Sequence, residues 1–170
     1  YQHPPYAVFY IAGKGINKPK DLAGKSITVS PGGSTSKLLS GFLNPIGIND
    51  KVIRKNVKPA AMHALLLAGS VDAITEYIFS SVLLNKHAKE KGQKVDHFLY
   101  SETGLTLYSN SLLTSEKRIK ERPDEVRRFV KATLQGFHYA FSHPQEGADL
   151  LKKLQPQVDR ESSIKEYVLV

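Results

Sequence analysis

Hydrophobic and polar positions along the first part of the chain switch repeatedly between a strand-like and a helix-like spacing. Short apolar or β-branched runs predict strands, at residues 6–12, 26–30, 52–57, 71–77 and 95–101. Stretches with apolar residues at helical spacing lie between the later runs, at residues 34–44, 60–68 and 79–91. This alternation predicts an α/β lobe, with a parallel sheet and helices on both of its faces.

The pattern changes after residue 104. Residues 105–113 predict one more extended segment, and beyond it we predict helices alone. Pro123 begins the clearest of them, and His143-Pro144 ends it. Its apolar stripe consists of Val126, Phe129, Val130, Leu134, Phe137 and Phe141. Two further helices are predicted at residues 145–154 and from 159 to the end.

Composition excludes several kinds of chemistry. The 170 residues include no cysteine, so disulfides, thiolate catalysis and cysteine-ligated zinc are excluded. The six histidines lack metal-binding spacings, and we predict neither a metal site nor a cofactor. The net charge of +8 is spread along the chain, and its densest part, residues 117–131, is interrupted by acidic residues. Mixed signs predict a solvated helix face and no nucleic-acid partner.

The segment from Ser30 to Ser36 is the first candidate binding site. A β-branched run ends at Pro31-Gly32-Gly33, and the hydroxyl residues Ser34, Thr35 and Ser36 precede a helix. Free N–H groups at the positive end of a helix dipole bind electron-rich oxygens, and Ser34 is a candidate N-cap. The alternative is an ordinary capped βα turn. Neither a P-loop nor a nucleophile-elbow spacing is present.

Further candidates follow the strands, because ligands of open α/β sheets gather at the carboxyl ends of strands. Glu76 and Tyr77 end one predicted strand, where a carboxylate could accept from an amine and a ring could stack on a flat solute. The alternative is a solvated Glu76 and a Tyr77 that caps the core. Asn56 ends the preceding strand, and Tyr108 lies on the extended segment, where hinge packing is the alternative.

Several sequence motifs occur together along the chain. They include the run from Gly15 to Ser34, which ends Val-Ser-Pro-Gly-Gly-Ser, and Val57-Lys58-Pro59-Ala60-Ala61. Others are Ala64 to Ala73, Arg122-Pro123-Asp124-Glu125-Val126, Phe129-Val130-Lys131-Ala132 and Ser142-His143-Pro144. Together these motifs resemble the solute-binding proteins of ABC importers for nitrate, sulfonates, taurine and thiamine-type pyrimidines, and the resemblance covers nearly the whole chain.

This resemblance implies a two-lobed periplasmic-binding fold of type II, of which the chain is the second-lobe part. Residues 1–11 would be a crossover strand into the lobe, 12–104 the second α/β lobe and 105–114 the return crossover. Residues 115–170 would be a helical return segment that packs on a preceding first lobe. Without that lobe, the apolar helix face would be exposed and would favour self-association.

The resemblance also implies a function. We expect capture of a small polar solute, such as a sulfonate, nitrate, taurine or a pyrimidine, for a membrane permease of the ABC type. The location would be the periplasm, or outside the cell on a lipid anchor. Enzymes of this fold that make a thiamine pyrimidine use a cysteine-rich motif, which this chain lacks, so we expect no catalysis. A biosynthetic enzyme and a ligand-sensing domain remain the alternatives.

Overall fold

The computed structural model describes residues 5–108 and 110–168 of the chain. The chain divides into two compact units, and the boundary lies between residues 109 and 110. That boundary falls inside the segment predicted as the return crossover, 105–114. Within the described ranges, no helix combines the length and the apolar character needed to cross a membrane.

In its described part, the first unit is a five-stranded sheet with three α-helices. Its strands are β1 (Tyr6–Ile11), β2 (Ser26–Val29), β3 (Ile53–Asn56), β4 (Ala73–Tyr77) and β5 (Val95–Leu99). Its helices are α1 (Ser34–Leu43), α2 (Pro59–Leu67) and α3 (Ser81–Glu90). The strand order is β3-β2-β4-β1-β5. The predicted α/β lobe is therefore confirmed.

The sheet is mostly parallel, and β1 is the exception. β2 pairs parallel with β3 and β4, whereas β1 pairs antiparallel with both β4 and β5. All six residues of β1 are buried, which suits a strand with helices over both faces. The predicted crossover strand at 1–11 thus contains a central strand of this sheet, and residues 1–4 lie outside the described part.

Two apolar clusters cover the two faces of the sheet. Val8 and Tyr10 of β1 pack on one face with Leu39 and Phe42 of α1. Ala7 and Phe9 of β1 pack on the other face, with residues of α2 and α3: Met62, Leu66, Leu84 and Ala88. The alternation of side chains along β1 and β4 therefore decides which helix each residue meets.

A hydrogen-bonded carboxylate fixes the start of β2 against β4. Asp72 Oδ2 accepts hydrogen bonds from the Ser26 N–H at 2.8 Å and from Ser26 Oγ at 2.7 Å. Partial burial raises the pKa of Asp72, but the Ser26 hydrogen bonds, with Lys25 and Lys55 nearby, outweigh it and hold that pKa below its usual value. A lowered folded-state pKa stabilises the fold at neutral pH, and this contribution is lost as pH falls through it.

We therefore expect Asp72→Asn to lower the free energy of unfolding at pH 7 by about 1 kcal/mol, a modest figure because the carboxylate is partly exposed. The difference from wild type should shrink below about pH 4, the ordinary range of an unfolded aspartate. Urea unfolding at pH 7 and pH 3 measures both values, with the exposed Asp50→Asn as the control. An equal loss at both pH values would contradict this role.

The second unit is helical in its described part. Its helices are α4 (Glu116–Glu121), α5 (Pro123–Ser142), α6 (Pro144–Leu154) and α7 (Arg160–Val168). The sequence pattern did not predict α4, which is only six residues long and is capped by the Ser115 side chain. The structure describes no strand at 105–108 or 110–113, so the extended segment predicted there is not a strand in the described residues.

Candidate functional site

The junction between β2 and α1 is a tight, hydrogen-bonded turn. The Gly33 N–H donates to the Ser30 carbonyl at 3.0 Å, with Pro31 and Gly32 between them. Gly32 has a φ of 76°, and proline followed by a residue of positive φ is typical of a type II turn. The Ser30 N–H donates to Ser36 Oγ at 2.6 Å and joins the turn to the helix.

The N-terminus of α1 opens directly from this turn. The N-cap is Gly33 and Ser34 is the first helical residue, so the prediction of Ser34 as the N-cap is wrong. The turn places the Gly33 carbonyl where it accepts the first helical bond, from the Lys37 N–H at 3.0 Å. Gly33 has no side chain with which to cap the helix, and the N–H groups of the first helical turn have no partners within the helix.

The three hydroxyl residues have different surroundings. Ser34 Oγ is 2.8 Å from the Tyr77 hydroxyl, so these two predicted site residues come together. One of the two hydroxyls donates to the other, and the remaining proton is available to a solute. Thr35 is buried, and Ser36 Oγ is already bonded within the turn. Pro31 and Gly32 are exposed, so no bulky neighbour covers the bend.

An aromatic cluster supports this end of the unit. The Tyr77 ring stacks on Phe79 with centroids 5.1 Å apart and also contacts Tyr6. Tyr100 stacks on Phe42, and its hydroxyl donates to the Thr35 carbonyl at 2.9 Å. Burial raises the pKa of Tyr100 far above its usual value, so this hydroxyl keeps its proton. The sequence pattern does not predict a role for Phe79 or Tyr100 at the site, although Phe79 lies only two residues after Tyr77.

Glu76 does not share the Tyr77 side of the sheet. Neighbouring strand residues point to opposite faces, and Glu76 lies on the face that α2 covers. Its Oε2 is 2.8 Å from His63 Nε2, and the Glu76 side chain is only 15% exposed. The structure therefore separates the Glu76 side chain from the Ser34–Tyr77 pair, and it also excludes the solvated alternative.

The two remaining predicted residues are exposed. Asn56 ends β3 and lies opposite Val29, the last residue of β2, so it is at the same edge of the sheet as the turn. Tyr108 is 90% exposed and lies in a segment without regular structure. Their roles stay predictions. Among the described residues, no three His, Asp or Glu side chains are grouped so that they could hold a metal ion.

Comparison with known proteins finds one matching family and a related binding protein. The family described as NMT1/THI5 like matches residues 1–147 of the chain. The chain is similar to the riboflavin-binding protein RibY of Chloroflexus aurantiacus, with 26% identity over 160 residues that cover 92% of this chain and 44% of RibY.

Solved structures show the same fold. The periplasmic aliphatic sulphonate binding protein SsuA from Escherichia coli has a TM-score of 0.78 at 17% identity, covering 99% of this chain and 55% of SsuA. The alkanesulfonate-binding protein SsuA from Xanthomonas axonopodis pv. citri, bound to MOPS, has a TM-score of 0.69 at 18% identity. There the match covers 98% of this chain and 57% of the other. The chain thus spans about half the length of the proteins that it matches.

Proposed function

The chain belongs to the NMT1/THI5-like family, and we propose that it binds a small polar solute with electron-rich oxygens for delivery to an ABC importer. The fold it shares with two sulfonate-binding proteins supports this proposal, and so does its similarity to a riboflavin-binding protein. The solute would be a sulfonate, nitrate, taurine or a pyrimidine-like molecule. The partner would be a membrane permease, and the location the periplasm, with or without a lipid anchor.

The single observation that carries the proposal is the uncapped N-terminus of α1 beside two hydroxyls. The N–H groups of the first helical turn have no helical partners, and Ser34 and Tyr77 have one hydroxyl proton to spare. All of these groups donate hydrogen bonds, and the helix dipole adds a partial positive charge. The arrangement therefore favours a solute group that only accepts, such as a sulfonate or nitrate.

Calorimetry on the full-length protein tests this function. Ethanesulfonate, taurine, nitrate and riboflavin would be titrated into wild type and into Ser34→Ala. One of them should bind wild type, and the loss of a hydroxyl donor to a charged group should weaken an anion about tenfold or more. The variant Ser101→Ala, which changes a serine outside the candidate site, is the control. The absence of binding by all four solutes would contradict the proposal.

We propose that the protein captures its solute without changing it. The solved proteins of this fold named above are binding proteins, and the chain has no cysteine for the cysteine-rich motif of the pyrimidine-forming enzymes. NMR spectra of a bound solute should remain unchanged after long incubation. The appearance of a new product would favour the enzyme instead.

We also propose that the helical part, residues 115–170, packs against a first lobe in the full-length protein. The apolar side chains of α5 support this, since Phe129 is 63% and Leu134 62% exposed. The chain's span of about half its relatives leaves room for such a lobe.

Leu134→Ala tests this packing. In the 170-residue chain it should change the free energy of unfolding by less than about 0.5 kcal/mol, because the side chain is exposed. In the full-length protein it should cost about 2 kcal/mol or more, because a covered leucine leaves a cavity. Denaturant unfolding measures both values. Equal costs would contradict the packing, and a concentration-dependent cost in the 170-residue chain would indicate self-association instead.

A further inference from the structure

A part-buried side-chain pair lies on the sheet face opposite the candidate site. His63 of α2 and Glu76 of β4 are 20% and 15% exposed, and Nε2 and Oε2 are 2.8 Å apart. At this distance the imidazole and the carboxyl group share one hydrogen bond. The pair therefore connects α2 to β4 one residue before Tyr77.

The last two residues of β4 pair with one neighbouring strand of the sheet. Toward β1, the pairing continues to Tyr77, which lies opposite Tyr6. Toward β2, the backbone pairing of β4 includes Ala73 and Ile74, and the Thr75 hydroxyl then donates to the Thr28 carbonyl at 3.0 Å. Among the described pairings, Glu76 and Tyr77 have a strand partner in β1 alone, and the side-chain contact between Glu76 and His63 adds a restraint from α2.

The position of the Tyr77 hydroxyl depends on the end of β4 as well as on the ring contacts of Tyr77 with Phe79 and Tyr6. Its 2.8 Å contact with Ser34 Oγ requires the end of β4 to keep a fixed position relative to α1. Glu76 and Tyr77 are joined by one peptide unit, so a shift of the Glu76 backbone moves Tyr77 as well, although their side chains leave on opposite faces. The contact between His63 and Glu76 is therefore coupled through one peptide unit to the hydroxyl pair of the site.

We propose that His63 and Glu76 are positioning residues, whose hydrogen bond holds the end of β4 so that Tyr77 stays against Ser34 for solute binding. The proposal rests on the proposed function of the Ser34–Tyr77 site. Glu76 acts on the solute through Tyr77 and does not contact it. This replaces the expectation from the sequence that Glu76 itself holds one end of the solute.

The first arm of the test needs no solute. The full-length protein would be labelled at the ζ carbon of tyrosine, and the Tyr77 resonance assigned with Tyr77→Phe. His63→Ala should move this resonance toward its position in Ser34→Ala, where the hydroxyl pair is absent. His63→Gln keeps an amide donor and should restore most of the wild-type shift. The control is His87→Ala. The centroids of the His87 and His63 rings are 6.3 Å apart, but the hydrogen bond under test joins His63 to Glu76. A wild-type Tyr77 resonance in His63→Ala would overturn the proposal.

The second arm measures the coupling between His63 and Tyr77. In calorimetry with ethanesulfonate, and with riboflavin as a second probe, His63→Ala should weaken binding about tenfold in the wild-type background. In the Tyr77→Phe background, His63→Ala should have no further effect on affinity, because the Tyr77 hydroxyl through which His63 acts on the solute is absent. The same loss in both backgrounds would overturn the proposal. If none of the four solutes titrated above binds wild type, the proposed function fails, while the resonance arm still decides the positioning role.

Discussion

Ser34→Asp should lower the affinity for an anionic solute by about 100-fold or more, while the protein becomes at least as stable as wild type. The new carboxylate would lie at the first position of α1, next to the N–H groups that the solute needs. Like charges brought together in a binding site cost several kcal/mol, and each 1.4 kcal/mol is about a factor of ten in affinity.

Stability should respond in the opposite direction. A negative charge at a helix N-terminus interacts favourably with the helix dipole by about 0.3–1 kcal/mol, and the Tyr77 hydroxyl could donate to it. The melting temperature and the ethanesulfonate affinity should therefore change independently. This separates a binding residue from a residue that supports the fold.

Ser115→Asp is the matched control, because it places the same charge at the N-cap of α4, outside the candidate site. It should leave affinity unchanged. Riboflavin has no negative charge to repel, so it should lose much less affinity than a sulfonate in Ser34→Asp. Unchanged ethanesulfonate binding in Ser34→Asp would show that this helix terminus does not hold the anion.

The sequence was sufficient to predict the α/β alternation, because the apolar runs and glycine turns are local signals. Gly32 illustrates this, since proline followed by glycine specifies a turn with positive φ whatever surrounds it. The meeting of Ser34 and Tyr77 was only partly predictable. Ser34 follows β2 and Tyr77 is the last residue of β4, and the carboxyl ends of these parallel strands lie at one edge of the sheet. The contact between the two hydroxyls depends in addition on the packing of α1.

Other features depended on information that the local pattern does not contain. The direction of β1 is set by its long-range pairing with β4 and β5, since a buried apolar strand looks the same in either direction. The separation of Glu76 from Tyr77 follows from strand alternation, which could have been applied to the sequence. The partner of Glu76, His63, could not, because it comes from a helix packed across the sheet.

Phe42→Ala should have the largest effect on stability, a loss of about 3–5 kcal/mol in the free energy of unfolding of the first unit. Phe42 is fully buried on the inner face of α1 and stacks on Tyr100, with ring centroids 5.1 Å apart. The protein interior relaxes only partly around a deleted ring, so the cost includes the cavity left behind. Urea unfolding followed by circular dichroism measures it.

The same substitution should weaken solute binding even where the protein remains folded. Tyr100 fixes the start of α1, because its hydroxyl donates to the Thr35 carbonyl at 2.9 Å. Without the Phe42 ring, Tyr100 can shift, and the first turn of α1 loses its fixed position beside Tyr77. Phe42→Leu keeps most of the volume, so it should cost about 1–1.5 kcal/mol and leave binding nearly intact. If Phe42→Ala retained full affinity below its melting temperature, the candidate site would not depend on this packing.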